Sequence, residues 1–416
     1  MAFDSFTILA GVFASLQQYL TPPLDSTAPP MPKPRVALLV NLIAPSRVCV
    51  YERLAVAMDL TILHGDMERN RDTWKKVRVN GASNKRIAGW QLSLIKRERG
   101  EAFDDWIIHV EPGYITELIR ERPDAVITDE MGFRTLVGLT YGALFRKPVW
   151  VWWGGTLHTE RDVGRIRKLL RGIVARWTRH WISYGQTSTE YLLSLGIPRE
   201  RILQVQNCVD ETWFGGQTRA ELEVRPKPVL LHVGQMIARK GIAEFLRAAA
   251  RLQQEGLKFS IVLVGAGRDT ARLQRLAIEL QLQNVRFYPS QPPEAMPAFY
   301  RSADVLIFPT MTDVWGLVAN EAILSGVPVL CSRYAGCAPE LFEMENIFDP
   351  SDEEEFVEAL RRAVTGQLRC ADRSRLWRSA QVGDVIANAV LDSCVSTRPK
   401  EPSIKVDAIS HLAPRN

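Results

Sequence analysis

Short apolar runs rich in β-branched residues, each followed by a longer helical stretch, recur along this chain, and the pattern starts again after a proline-marked break. The first series falls at residues 36–40, 60–63, 125–128, 149–153 and 202–205. Runs this short and this apolar suit parallel strands buried on both faces, with the intervening helices as crossovers. The break is Arg225-Pro226-Lys227-Pro228, and a second series follows at 229–233, 259–264, 285–288, 305–308 and 329–331. The expected fold class is therefore α/β, with two Rossmann-like, doubly wound parallel-sheet domains at 35–215 and 226–375. Two such sheets facing each other leave a cleft at the carboxyl ends of their strands, where α/β folds bind ligands. Before the first domain, residues 1–34 carry Pro22, Pro23, Pro29, Pro30, Pro32 and Pro34 and read as a disordered or surface lead-in. After the second, 376–395 reads as a helix and 396–416 as a disordered tail.

Length agrees with this division, because 416 residues exceed one ordinary core. The net charge of +5 comes from 52 basic and 47 acidic residues, which favours an anionic partner without being a nucleic-acid profile. Six cysteines without a CxxC pair or scaffold spacing suit reduced thiols in a cytoplasmic protein. Residues 6–20 are apolar, but Asp4 stands where a signal peptide carries positive charge, and the run is too short to span a bilayer. A surface helix, a weak membrane contact and a mis-assigned start all remain open for it.

The chemistry concentrates between Ala303 and Cys331. An apolar strand runs into a Pro/Thr loop carrying Asp313; Trp315-Gly316-Leu317 opens a helix carrying Glu321; Gly326-Val327-Pro328 ends that helix. A strand, a glycine turn and a helix N-terminus seat phosphate, since unpaired amides and the helix dipole both face the ligand. Two carboxylates beside such a seat suit hydroxyl groups. A nucleotide-sugar satisfies both demands at once.

This segment resembles the donor-site signature of the retaining glycosyltransferases of family 4 (glycosyl transferases group 1), which have the two-domain GT-B fold and the pattern E-x7-E followed by Ala, a small residue-Gly and Pro-Val. The spacing from Asp313 to Glu321 is kept, with Asp in place of the first Glu. The resemblance implies that Asp313 meets the hydroxyls of the transferred sugar and Glu321 the ribose. It places Trp315, Gly316 and Leu317 along the donor. It also assigns Lys240, in Gly234-Gln235-Met236-Ile237-Ala238-Arg239-Lys240-Gly241, to the donor diphosphate. Gln235 stands where the family frequently has Arg, which leaves Lys240 and Arg239 to neutralise the leaving group. Gly265 and Gly267, in Val264-Gly265-Ala266-Gly267, would let the backbone approach the nucleotide, although GxG alone is often only a tight turn. Backbone contacts near Phe287-Tyr288-Pro289 would hold the base, so uracil, guanine and adenine all stay open. Glu340 matches a frequent family acid, and a helix-start role explains it nearly as well. By the same resemblance the 376–395 helix crosses back onto the first domain.

On the first domain, Ala44-Pro45-Ser46-Arg47 and Gly154-Gly155-Thr156-Leu157-His158-Thr159-Glu160 each follow a strand and would face the cleft. Pro45, Arg47, His158 and Glu160 are the acceptor-side candidates, and His158 joins Asp313 and Lys240 as a catalytic candidate, with a structural histidine the alternative. Asn207-Cys208-Val209-Asp210 resembles the family's linker. Residues 161–181 place seven basic residues among Val163, Ile166, Leu170, Ile173, Val174, Trp177 and Trp181 at helical spacing. Such a helix either lies on anionic lipid or packs on its own sheet with a solvated basic face.

These readings lead to a glycosyltransferase that moves a sugar from a nucleotide-sugar to a hydroxyl acceptor with retention, without cofactor or catalytic metal and without nucleic acid. Its setting is polysaccharide or glycolipid assembly, cytoplasmic and peripheral on the inner face of the membrane. The rivals are a catalytically silent nucleotide-sugar-binding subunit and a GT-B sugar epimerase.

Overall fold

A computed structural model describes residues 32–65, 77–87, 90–94, 97–98, 101–102, 106–214 and 223–396. The lead-in up to residue 31, with its apolar run at 6–20, and the tail from 397 lie outside the described residues. The two sheets belong to one body that starts at Pro34.

The first sheet contains β1 (Arg35–Val40), β2 (Asp59–His64), β3 (Ser83–Arg86), β6 (Ala125–Asp129), β7 (Val149–Trp153), β8 (His180–Tyr184) and β9 (Ile202–Val205). An antiparallel hairpin of β4 (Trp90–Leu94) and β5 (Trp106–Val110) stands apart from it. The order is β9-β8-β7-β6-β1-β2-β3, parallel throughout, with Val36 opposite both Leu60 and Ala125. Strand order reverses between β1 and β6, so this edge opens a crevice at the strands' carboxyl ends. Between the strands run α1 (Val48–Ala57), α2 (Gly113–Glu121), α3 (Phe133–Phe145), α4 (Arg165–Trp177) and α5 (Gly185–Ser194).

The second sheet contains β10 (Val229–Val233), β11 (Ser260–Val264), β12 (Val285–Tyr288), β13 (Val305–Phe308), β14 (Val329–Ser332) and β15 (Ile347–Phe348). Its order is β12-β11-β10-β13-β14-β15, again parallel. Its helices are α6 (Ile242–Gln254), α7 (Thr270–Glu279), α8 (Met296–Ser302), α9 (Leu317–Ser325), α10 (Ala338–Leu341) and α11 (Glu353–Val364). Helix α12 (Ser379–Ser396) then returns to the first sheet: Asp384 receives Arg53 of α1 at 2.5 and 2.9 Å, and the Trp150 indole N–H donates to Ser393 Oγ at 3.1 Å.

One apolar cluster runs from Val36 and Ile127 through Val205 and Cys208 to Leu306, Trp315 and Ile386, so the two sheets share a core across their seam. The basic stretch differs from the 161–181 reading. The helix stops at Trp177, Thr178 is extended, and Trp181 is fully buried in β8. A tryptophan at helical spacing does not distinguish a helix turn from a following strand, and burial on both faces decided for the strand.

Candidate functional site

Three loops at the carboxyl ends of β10, β11 and β13 carry the residues the sequence reading assigns to a donor. The β10 loop is laced to the β11 loop by backbone bonds: Gly234 N–H to Val264 O at 3.0 Å and Met236 N–H to Ala266 O at 3.1 Å. This contact accounts for the two glycines of Gly265-Ala266-Gly267. A Cβ on Gly265 would collide with the Gly234 carbonyl and one on Gly267 with the Met236 backbone. Their missing side chains make room for a neighbouring loop, a different use of the space from the nucleotide approach expected of them.

The β13 loop brings Asp313 to Lys240. Nζ donates to Oδ2 at 2.5 Å, and the two side chains are 13% and 16% exposed. Asp313 is fixed further: Oδ1 accepts from Trp315 N–H at 3.2 Å, and its own backbone bridges Tyr334 and Gly336. Burial alone would raise its carboxyl, but the Lys240 charge and hydrogen bond hold it below the usual carboxylate range. Gln235 accepts from Arg239 at 3.4 Å, and Arg239 also reaches the Thr312 carbonyl at 3.4 Å. The loop carries its own guanidinium in this way despite the missing first Arg.

Glu321, on α9, accepts from the buried Tyr300 hydroxyl at 2.6 Å. Burial pushes its carboxyl up to about 7, against the pull of the Tyr300 bond. A carboxyl raised above its unfolded value stabilises the fold at acid pH and loses that contribution as pH rises through the folded value. Wild type is therefore expected to lose stability relative to Glu321→Gln between about pH 5 and 8, by on the order of 3 kcal/mol. Denaturant titration of both proteins at several pH values checks this, and parallel profiles would refute the shifted carboxyl.

The Trp315 side chain faces the core. Its side chain is fully buried, its indole N–H donates to Asn320 Oδ1 at 2.9 Å, and Asn320 Nδ2 donates to the Asn207 carbonyl at 3.1 Å. A Cβ on Gly185 of the first domain would strike the Trp315 ring. Trp315 is a wedge in the seam. Gly316 adopts a φ of 107°, which favours glycine, and a Cβ there would meet the Phe308 ring; Leu317, half-buried, starts the helix.

On the first domain, Arg47 follows Pro45 in a single 3₁₀ turn and is caged. Its guanidinium lies 5.2 Å from the ring centres of Trp152 and Tyr184, 3.3 Å from the Tyr51 hydroxyl and 4.0 Å from Asp129. Burial opposes its charge, yet Tyr184, Tyr51 and Asp129 hold it above its ordinary value. Asp129 and Glu130, at the end of β6, both receive the buried Arg134, at 2.6 and 2.8 Å. Glu130 has a φ of 62°, uncommon for a non-glycine residue. Tyr51, Asp129, Glu130, Arg134 and Tyr184 went unnoticed in the sequence; the one available signal was an acid pair at the carboxyl end of an apolar run.

Two acceptor-side expectations change. Glu160 is bound to Arg171 of α4, itself stacked 5.2 Å over Trp153, so its carboxylate is committed within the first domain. His158 reaches the second domain: Nε2–H donates to the Met311 carbonyl at 2.9 Å, and the ring stacks on Tyr334 at 4.2 Å. Burial holds its pKa below the usual value, which keeps the imidazole neutral. With Nε2 so used, His158 joins its own first-domain loop to the Asp313 loop. Glu340 also bridges the seam, accepting from Gln186 N–H at the start of α5 and from Gln206 at 3.2 Å.

A family model described as glycosyl transferases group 1 matches residues 217–380, the stretch that holds these three loops, the Lys240–Asp313 pair and Glu321. Residues 217–380 belong to that family. The chain is similar to D-inositol 3-phosphate glycosyltransferase of Nocardia farcinica, 33% identical over 191 residues, 42% of this chain and 41% of that one. It is also similar to lipopolysaccharide glucosyltransferase WaaG of Escherichia coli, 32% identical over 161 residues, 37% of this chain and 42% of that one. The matched stretch thus spans about two fifths of these curated relatives. Whole-chain likeness appears in structure. Anabaena Alr3699/HepE, solved with UDP and glucose, superposes with a TM-score of 0.60 at 15% identity, covering 87% of this chain and 98% of that one. Sucrose-phosphate synthase from Thermosynechococcus elongatus gives 0.59 at 16%, covering 87% and 96%. The glycosyl transferases group 1 domain is therefore the second half of a GT-B fold.

Proposed function

We propose that the chain is a glycosyltransferase that moves a sugar from a nucleotide-sugar donor to a hydroxyl acceptor with retention of configuration. One observation carries the reading. Within the family-matched domain, Lys240 and Asp313 stand on loops after parallel strands and Glu321 on the helix that follows the Asp313 loop, offering one cation for a diphosphate and two carboxylates for hydroxyls. Lys240 and Arg239 would stabilise charge on the leaving diphosphate, Asp313 the transferred sugar, and an ionised Glu321 the ribose. The reading assigns no side chain as a nucleophile and takes a front-face route in which the leaving phosphate helps deprotonate the acceptor. The reading includes metal independence.

Names among the relatives and neighbours, an inositol phosphate glycosyltransferase, a lipopolysaccharide glucosyltransferase and a protein bound to UDP and glucose, support a UDP-hexose as the first donor to try and glycolipid or polysaccharide assembly as the setting. Incubation with UDP-, GDP- and ADP-sugars, followed for slow hydrolysis, tests the activity. Isomerised sugar would point to the epimerase, binding without turnover to a silent subunit, and neither binding nor turnover would overturn the reading.

The reading includes an anionic membrane surface as partner, carried by α4. Among the described residues no helix is long and apolar enough to cross a membrane. On α4, Arg171 and Val174 pack inward, whereas Ile166, Leu169 and Trp177 are 81%, 68% and 59% exposed beside Arg165, Lys168 and Arg176. No acidic residue lies between Asp162 and Glu190. An apolar stripe flanked by basic residues suits the headgroup boundary of an anionic leaflet, each basic residue adding about 1 kcal/mol. The chain is expected to sediment with phosphatidylserine vesicles at low salt and to release at high salt. Equal sedimentation with neutral vesicles, or retention in a Leu169→Ser/Lys168→Glu variant, would reject the docking.

A further inference from the structure

We propose that the Lys240–Asp313 pair makes the site discriminate the intact nucleotide-sugar from the nucleoside diphosphate it leaves behind. This rests on the donor-site reading above and adds a role that reading does not contain. The two groups assigned to different parts of the donor are each other's partner here, at 2.5 Å. Any ligand that draws Lys240 to a diphosphate competes with Asp313 for the same ammonium.

The two members are unequally held. Asp313 is fixed through Oδ1 to Trp315 N–H, through its N–H to the Tyr334 carbonyl at 3.3 Å and through its own carbonyl to Gly336 N–H at 3.1 Å. Lys240 extends a flexible four-carbon stem across the Phe308 ring, with Nζ 5.8 Å from its centre. Binding therefore moves the ammonium and leaves the carboxylate. The short Asp side chain keeps that carboxylate close to its backbone anchors. Arg239, the nearest other cation on this loop, donates to the Thr312 carbonyl and to Gln235.

Breaking a buried ion pair by removing one partner is costly because an uncompensated charge stays behind. A nucleoside diphosphate does this: it takes Lys240 and leaves Asp313 with one backbone N–H and the nearby charge of Arg239 in place of its direct ion pair. An intact donor takes Lys240 with its diphosphate and offers sugar hydroxyls to Asp313, so both charges find partners. The pair thus favours entry of the donor and departure of the product. Asp313 acts here as a specificity-determining residue, through the cation it releases or retains.

Calorimetry with UDP, GDP and ADP, and with UDP-glucose, GDP-mannose and ADP-glucose without acceptor, tests this on wild type and Asp313→Asn. Asparagine preserves the shape and the acceptor for Trp315 N–H while removing the charge. Affinity for the matching nucleoside diphosphate is expected to rise on the order of tenfold in Asp313→Asn, and affinity for its sugar conjugate not to rise. Equal or weaker diphosphate binding in the variant would overturn the proposal while leaving the donor site standing. Wild type alone decides if the variant fails to fold: it should bind the conjugate several-fold more tightly than the bare diphosphate, and the reverse order would overturn the proposal. Failure of wild type to bind all six ligands would overturn the donor site itself.

Discussion

Lys240→Ala is expected to lower turnover roughly 100-fold or more, because one donor aimed at developing charge is typically worth about 2.7 to 4 kcal/mol. The charge in question builds on the leaving diphosphate, and Lys240 is the cation the β10 loop brings to the Asp313 loop. The structure adds a second consequence. Removing Lys240 leaves the Asp313 carboxylate unpaired at 16% exposure, and losing one member of a buried pair destabilises by about 3 to 5 kcal/mol. The single variant should therefore lose both rate and stability. Lys240→Ala/Asp313→Asn should regain most of the stability and none of the rate. Steady-state kinetics with the identified donor, together with denaturant unfolding of both variants, separate the two effects. Wild-type turnover in Lys240→Ala would remove this residue from the chemistry, and an equally unstable double variant would show that the pair is not what the fold loses.

Trp315→Ala is expected to destabilise by about 3 to 5 kcal/mol, the range for deleting a large buried aromatic. Its ring is fully buried against Gly185, and the indole N–H satisfies Asn320, which in turn holds the Asn207 carbonyl in the segment joining the domains. The substitution opens a cavity in the core shared by the two sheets and unpairs Asn320, so domain closure should weaken along with the fold. Unfolding by urea, compared with nucleoside diphosphate affinity at a temperature where the variant is folded, makes the check. A normal midpoint with lost affinity would return Trp315 to the donor surface, the role its place in the sequence motif suggested.

Much of the scaffold was legible before folding. Residues 149–153, 202–205, 229–233, 285–288 and 305–308 form strands at the boundaries their runs indicate, and 149–153 and 305–308 show the reason most plainly, because strands covered on both faces are apolar along their whole length. Strand β8 was not legible. Thr-Arg-His-Trp at 178–181 continues a helical spacing, and only the place waiting beside β7 makes Trp181 a strand residue. Strand β3, Ser-Asn-Lys-Arg, carries no apolar signal and exists by pairing with β2.

The site divides along the same line. The chain itself determined that Asp313 and Glu321 flank a strand-to-helix turn, that Lys240 opens the helix after β10, and that Arg47 and His158 lie on loops at strand ends. These follow from spacing within single strand–loop–helix units, where geometry is local. Tertiary structure decided which of these charges are already matched. Lys240 and Asp313 are 73 residues apart, and His158 and Met311 are 153 apart. Nothing in either neighbourhood announces its partner, nor that Glu160 answers Arg171 or that Trp315 faces inward. Hydrogen-bond and ion-pair choices between loops depend on burial, since a charge removed from water must take the partner the fold places within reach.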